Sequence, residues 1–157
     1  MAKQINADKD YTLFTFVLQV ADILFKIRER ELLPQNLSAT AAEILFLVDA
    51  MGENVTPAKI TKMILREPHS TSGILQRMET HGLIKRTKNM ERKNQIRVTL
   101  TAKGEKALKQ AMKLEGATGI IARLSTVQQK QLKASLTALK EAGKKELHLG
   151  PKALLWP

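Results

Sequence analysis

Residues 68–84, PHSTSGILQRMETHGLI, decide the fold. Pro68 suits the first position of a helix and Gly82 suits the position just past its end, so the stretch predicts a helix over about 68–81. Its mostly apolar inward positions recur at the three- and four-residue spacing of a single buried helical face. That inward stripe consists of Thr71, Ile74, Leu75 and Met78.

The opposite face of this helix is short, polar and cationic, and it carries no carboxylate. Hydroxyl, amide and imidazole groups can reach base edges or phosphates when a helix lies in the major groove of DNA. The pattern therefore predicts a recognition helix. Its candidate DNA contacts are His69, Ser70, Ser72, Gly73, Gln76 and Arg77.

Two further helices are predicted upstream of residue 68. Thr40, followed by Glu43 three residues on, suggests a capping box that opens a helix over about 40–51. Thr56 and Pro57 together form a strong start signal for a short third helix.

Downstream, residues 83–100 predict a β-hairpin, because apolar and polar positions alternate with a period of two over 95–100. The predicted tip, Asn89–Asn94, is polar and basic. The candidate wing contacts to DNA are the cations Lys88, Arg92, Lys93 and Arg97. Three helices followed by this hairpin predict a mainly α protein with a winged helix-turn-helix over residues 38–101.

The positive charge is concentrated in the same region. The chain has 157 residues and a net charge of +11. Residues 57–113 hold 14 Lys and Arg against 4 Asp and Glu, whereas residues 1–56 hold 5 against 8 and residues 114–157 hold 7 against 3. A local basic block of this size is typical of proteins that bind the phosphate backbone of nucleic acids. The alternative interpretation is a Lys-rich surface that is simply solvated.

The flanking segments predict long helices. Residues 10–33 are apolar around nearly the whole helical wheel, and a helix of that kind must be buried on all sides, most simply between two subunits. A helix over about 102–122, weakened or bent at Gly116 and Gly119, and a last helix opened by a Ser125 capping box follow the hairpin. Residues 1–37 with 102–157 are therefore expected to form one helical dimerisation lobe. The candidate dimerisation residues are Phe14, Leu18, Leu24, Leu132, Leu136 and Leu139.

The segments 56–60, 69–79, 82–86 and 98–104 together resemble the MarR family of bacterial transcription regulators. The resemblance is clearest over about 37–108. It implies a homodimer that binds double-stranded DNA at a pseudo-palindromic operator, with repression as the expected outcome. It also leaves open relief by a small-molecule effector of unknown identity.

The resemblance also implies roles for single residues. His69, Ser70, Ser72 and Gly73 fall where the family's recognition helix meets bases and phosphates, and Arg77 falls where a cation holds backbone phosphate. Two features depart from the family pattern. Gly73 replaces a longer side chain, and the usual Asp-rich wing tip here contains Arg92 and Lys93, which become the expected minor-groove cations.

Other functions are disfavoured. The chain has no cysteine, which excludes disulfides and thiolate sites. The three histidines are far apart, so no metal and no cofactor are expected. Carboxylates are scarce in the basic block, which counts against an enzyme. The most apolar stretch is too short and too interrupted to span a membrane, and a cytoplasmic protein is expected. The remaining alternative is a winged-helix interaction module, or a DNA-binding protein without operator specificity.

Overall fold

The computed structural model describes residues 9–52, 55–89 and 95–150. Within them the chain is mainly helical with one two-stranded antiparallel sheet, which confirms the predicted fold class. The elements in chain order are α1 (Lys9–Leu32), the short 3₁₀ helix η1 (Leu33–Gln35), α2 (Ala39–Met51), α3 (Pro57–Met63), α4 (Pro68–Thr80), β1 (Ile84–Asn89), β2 (Gln95–Leu100), α5 (Ala102–Met112), α6 (Gly116–Ile121) and α7 (Thr126–Glu146).

The start of α2 differs from the prediction. The expected capping box of Thr40 and Glu43 is wrong, because the helix begins one residue earlier and Ser38 is its N-cap. The Ser38 hydroxyl accepts the Ala41 N–H at 3.1 Å. A carboxylate oxygen of Glu29 in α1 accepts the N–H of the first residue of α2 at 2.5 Å. A contact between distant segments therefore fixes this start, and local spacing could not show it.

Three other helix starts follow the prediction. Thr56 and Thr101 each accept the backbone N–H three residues on, at 3.3 and 3.0 Å. Ser125 forms a complete capping box with Gln128, in which each side chain accepts the other's backbone N–H. These caps satisfy donors that a helix leaves unpaired in its first turn.

The predicted helix over 102–122 is two helices. Arg28 of α1 donates to the Ala111 carbonyl at 3.1 Å, near the end of α5, and to Glu31 at 2.6 Å. At Gly116, where α6 begins, the Glu31 carboxylate lies where a β-carbon would stand, so a side chain would collide with it. Contacts with α1 therefore lie on both sides of the break between α5 and α6, and the weak helix propensity of glycine favours a break there.

The core lies between α2, α3, α4, α5 and the hairpin. Its fully enclosed side chains include Ile44, Leu45, Val55, Ile60, Leu75, Ile84 and Val98. Burial of a side chain of this size stabilises the fold by roughly 1.5–3 kcal/mol. Leu108 and Ala111 of α5 belong to the same cluster, so the core continues past residue 101.

The terminal helices are built differently. Within the described part of α1, Leu32 is buried, whereas Phe14 is 56% exposed and Leu18 is 50% exposed. On α7, Leu136 and Leu139 are 48% and 59% exposed. The apolar surface of these helices is therefore not covered by the described part of the same chain.

Candidate nucleic-acid interface

Helix α4 presents the predicted face to solvent. Pro68 occupies its first turn, and Thr71, Leu75 and Met78 are buried on its inner side, as predicted. The predicted contact residues lie together on the outer side. His69, Ser70, Ser72, Gln76 and Arg77 are exposed, and Gly73 is half-buried. The structure therefore brings these six residues onto one surface, and their contact with DNA remains a prediction.

Gly73 leaves open space on this face. A β-carbon at this position would meet the Arg77 guanidinium at 3.9 Å, which is an ordinary van der Waals distance. The helix itself therefore does not require glycine here. What the missing side chain offers is a close approach to the backbone of α4 from outside.

A sharp turn joins α4 to the wing. Gly82 has a φ of +69°, which glycine adopts without steric cost. Its N–H donates to the Glu79 carbonyl at 2.9 Å, and the Leu83 N–H donates to the Met78 carbonyl at 2.9 Å. This pair of hydrogen bonds is a Schellman motif. It ends α4 and directs the chain straight into β1.

Arg86 connects the recognition helix to the wing, and sequence analysis missed it. Its Nε donates to Glu79 at 2.7 Å, its backbone N–H donates to the same carboxylate at 3.0 Å, and its Nη2 donates to Gln76 Oε1 at 2.5 Å. Gln76 and Glu79 are three residues apart and therefore adjacent on α4. The sequence does contain a signal for this contact, because the carboxylate Glu79 near the end of α4 is followed within ten residues by the cations Lys85, Arg86 and Lys88.

The pKa of Glu79 reflects this contact. The Arg86 side-chain hydrogen bond lowers the pKa of the Glu79 carboxyl below its usual value, and the Arg86 backbone N–H lowers it further. Glu79 therefore stays charged and paired at neutral pH. It neutralises Arg86, and the other cations of the wing are left to set the local potential.

The hairpin does not bring its two described candidate cations together. In the β1–β2 register, Thr87 pairs with Arg97 and Lys88 pairs with Ile96. Directly paired residues share a face and neighbours alternate, so Lys88 and Arg97 lie on opposite faces of the hairpin. Lys88 is exposed and Arg97 is half-buried. Arg92 and Lys93, at the predicted tip, lie outside the described residues.

The predicted dimerisation residues lie on exposed faces of the terminal helices. Phe14, Leu18, Leu132, Leu136 and Leu139 are exposed, and Leu24 is half-buried. A surface cavity of about 640 Å³ follows α7 beside Leu132 and Leu136 and is bordered by Ile121 of α6. These apolar faces remain available for a partner.

Among residues 9–52, 55–89 and 95–150, no group of three or more His, Asp or Glu side chains is placed to hold a metal ion. In the same ranges, no helix is both long and apolar enough to cross a membrane.

Comparisons with known proteins agree with this geometry. Residues 35–91 match the sequence profile of the MarR family. No curated protein sequence matches the chain. Among solved structures, the chain is similar to the organohalide-sensing RdhR-CbdbA1625 transcriptional regulator in its 2,4-dichlorophenol-bound form, with 27% identity and a TM-score of 0.85. That match covers 98% of this chain and 93% of the other.

Two DNA complexes share the fold. A mutant of MarR from E. coli bound to operator DNA matches with 19% identity and a TM-score of 0.74, covering 85% of this chain and 99% of the other. The MepR–DNA complex from S. aureus matches with 19% identity and a TM-score of 0.75, covering 86% and 99%. The profile match lies within the winged helix and the structural likeness extends over nearly the full chain, so the protein has the fold of MarR-type winged-helix regulators.

Proposed function

We propose that the chain is a cytoplasmic, dimeric regulator of transcription and not an enzyme. It binds a pseudo-palindromic operator in DNA and represses the adjacent gene. The observation that carries the proposal is the exposed face of α4. It combines His69, Ser70, Ser72, Gln76 and Arg77 on one surface within the basic part of the chain. A non-specific binder would place Lys and Arg there, whereas short polar groups can distinguish base edges.

The similar structures support this proposal, since MarR from E. coli and MepR from S. aureus were both solved on DNA. In the proposed complex, α4 enters the major groove and the wing cations Lys88, Arg92, Lys93 and Arg97 neutralise phosphates or enter the minor groove. Counterion release then makes the affinity fall steeply with salt.

Dimerisation completes the proposed DNA-binding unit. The exposed leucines of α7 and the exposed aromatic and aliphatic side chains of α1 would pair with those of a second copy. The helices outside 38–101 would thus form the dimerisation lobe. Two copies of α4 would then lie about 34 Å apart, which is one turn of DNA, and the operator would be a pseudo-palindrome.

The proposal also includes a small-molecule effector that relieves repression. A cavity of about 290 Å³ lies between η1, the start of α2 and α4, and its lining includes Leu33, Met78, Arg77 and His81. The RdhR-CbdbA1625 relative was solved with 2,4-dichlorophenol. An occupant of this cavity would touch the recognition helix directly, so it could change the position of α4 and release DNA.

The first test is binding of the purified protein to DNA immediately upstream of its own gene, beside a random duplex of equal length, at two salt concentrations. Protection of a palindrome, with tighter binding than to random DNA at near-physiological salt, is the expected result. Equal and salt-labile binding to both duplexes would contradict operator specificity and favour the alternative of a non-specific basic module.

Two sets of variants separate the proposed contacts. Arg92→Ala with Lys93→Ala should weaken binding to all DNA and reduce its salt dependence, and an unchanged salt slope would reject wing contact.

His69→Ala or Ser72→Ala should lower the preference for operator over random DNA by ~1–3 kcal/mol. Equal weakening on both DNAs would assign these residues to phosphate contacts alone.

A further inference from the structure

The Gln76 side chain is held in one orientation. Arg86 Nη2 lies 2.5 Å from Gln76 Oε1. A guanidinium group has donors and no acceptor, so the amide must turn its oxygen towards Arg86 and its nitrogen away. Gln76 is exposed, and its amide nitrogen donates no hydrogen bond within the described part of the chain. The two N–H donors are therefore what this side chain offers on the outer face of α4.

Arg86 is itself fixed from two sides. Its backbone N–H and its Nε both donate to the Glu79 carboxylate, and its Nη2 lies 2.6 Å from the same carboxylate. The paired strand residue, Val98, is fully buried and its N–H donates to the Val55 carbonyl at 2.9 Å. The guanidinium that orients Gln76 is thus anchored to both the helix and the buried part of the sheet.

We propose that Arg86 fixes the Gln76 amide as a donor, so that this position of the recognition helix selects guanine rather than adenine. The inference rests on the proposed function, because it requires α4 to lie in a major groove. Arg86 is in this sense a positioning residue for specificity, since it acts through Gln76.

The base preference follows from the groups on base edges. A free glutamine pairs with adenine by donating to N7 and accepting from the N6 amino group. Arg86 already occupies one of the two lone pairs of Gln76 Oε1 and holds that oxygen on the side of the wing, so the second of these bonds must compete with the Arg86 contact. Guanine presents two acceptors, N7 and O6, which match the two N–H donors of one amide nitrogen. Cytosine presents a donor and is disfavoured.

The test is selection of bound sequences from a pool of random duplexes by the full-length protein and its variants. The position that Gln76 contacts is the one whose base preference is flattened by Gln76→Met. The decisive variant combines Arg86→Met with Glu79→Gln, which leaves no unpaired carboxylate and keeps an acceptor for the backbone N–H of residue 86. Lys85→Met, on the exposed neighbouring residue of β1, removes the same charge and is the matched control.

We expect guanine at that position for the wild type and for Lys85→Met. In the double variant the preference for guanine over adenine should fall roughly tenfold, because the released oxygen can then accept from adenine. Three results would overturn the inference but not the proposed function. They are a preference for adenine in the wild type, no position whose base preference is flattened by Gln76→Met, and an unchanged preference for guanine in the double variant. Enrichment of no sequence by the wild type would overturn the proposed function and the inference with it.

A second measurement uses only the wild-type protein, at the position that Gln76→Met identifies, so its result does not depend on the folding of the double variant. The selected operator is synthesised with 7-deazaguanine at the position assigned to Gln76, which removes the N7 acceptor and keeps base pairing. Wild-type affinity should fall roughly tenfold relative to the unmodified operator. Equal affinity for the two operators would overturn the inference.

Discussion

Apolar side chains are enclosed in the winged helix, whereas many of those on the terminal helices are exposed. Val55 and Val98, in the winged helix, are fully enclosed by their own chain. Phe14 of α1 and Leu136 of α7 are 56% and 48% exposed. The two regions have comparable hydrophobic side chains, so the difference lies in whether a single copy of the chain can cover them.

The sequence patterns explain this contrast. Helix α4 has one apolar stripe, which a single layer of neighbouring elements can bury. Helix α1 is apolar in nearly every direction, and its buried and half-buried side chains all lie between Leu24 and Leu32, where Arg28 and Leu32 meet other described elements. A region of the first kind can complete its own core. A region of the second kind leaves apolar surface that the proposed second copy would cover, and the predictions below test that distinction.

The largest effect is expected at the proposed dimer surface. Leu136→Asp removes a leucine and adds a charge where a partner would pack, so dimerisation should weaken by about 3 kcal/mol or more, which is more than a hundredfold in the dissociation constant. Sedimentation velocity should show a dimer for the wild type and a monomer for the variant.

Ala134→Asp is the matched control for that variant. Residue 134 is also exposed on α7, but it lies on the opposite side of the helix from the leucine stripe. It adds the same charge and should leave the dimer intact. If both variants sediment as dimers, the exposed leucines of α7 do not form the subunit interface.

The second effect is expected in the enclosed core. Leu75 is fully buried on the inner side of α4. Leu75→Ala should lower the free energy of unfolding by ~2–5 kcal/mol, because it loses apolar contact and leaves a cavity. Chemical denaturation at several protein concentrations should show the same loss at each.

Leu33 provides the comparison for Leu75, since the same substitution there removes a side chain that is 74% exposed. Leu33→Ala should change the free energy of unfolding by less than about 0.5 kcal/mol. Equal losses from the two substitutions would mean that burial within one chain does not decide stability in this region.

Much of the winged helix was predictable because its signals are local. The start at Thr56, the end of α4 near Gly82 and the strand over 95–100 all involve residues close in sequence, and the structure confirms them. The alternation within that strand is only partial, since Val98 is buried but Ile96 is exposed. The outward face of α4 followed from helical periodicity alone. Its DNA contacts stay a prediction.

What escaped prediction depends on contacts between distant segments. Ser38 caps α2 at a start that Glu29 also supports, and Glu31 packs against Gly116, where α6 begins. The role of Arg86 likewise depends on how β1 folds back against α4. Periodicity and capping rules describe neighbours within a few residues, and they carry no information about which helix end meets which carboxylate.

A smaller effect is expected at Gly73, on the outer face of α4. Gly73→Ala should raise the free energy of unfolding by ~0.5–1 kcal/mol, since alanine favours helix and the new β-carbon meets nothing closer than 3.9 Å. Operator affinity should nevertheless fall, because the added methyl group hinders close approach of DNA to α4.

Gly119→Ala is the control for this substitution. Gly119 also lies within a helix, its new β-carbon would be 3.8 Å from Glu115, and it is far in sequence from α4. It should stabilise the protein without changing operator affinity. Equal operator affinity for Gly73→Ala and the wild type would remove Gly73 from the proposed interface.

The smallest effect is the pH dependence of the link between α4 and the wing. Arg86 lowers the pKa of Glu79, so the folded state binds the proton less readily than the unfolded state does. The stabilisation is therefore present above the usual carboxyl pKa and is lost as pH falls through the lowered value. The difference in unfolding free energy between the wild type and Glu79→Gln should shrink from about pH 7 to about pH 3. NMR titration of the Glu79 carboxyl carbon measures the same shift directly. A constant difference, with an unshifted titration, would show that Arg86 and Glu79 are not paired in solution, and the winged helix would then hold its wing by the buried strand residues alone.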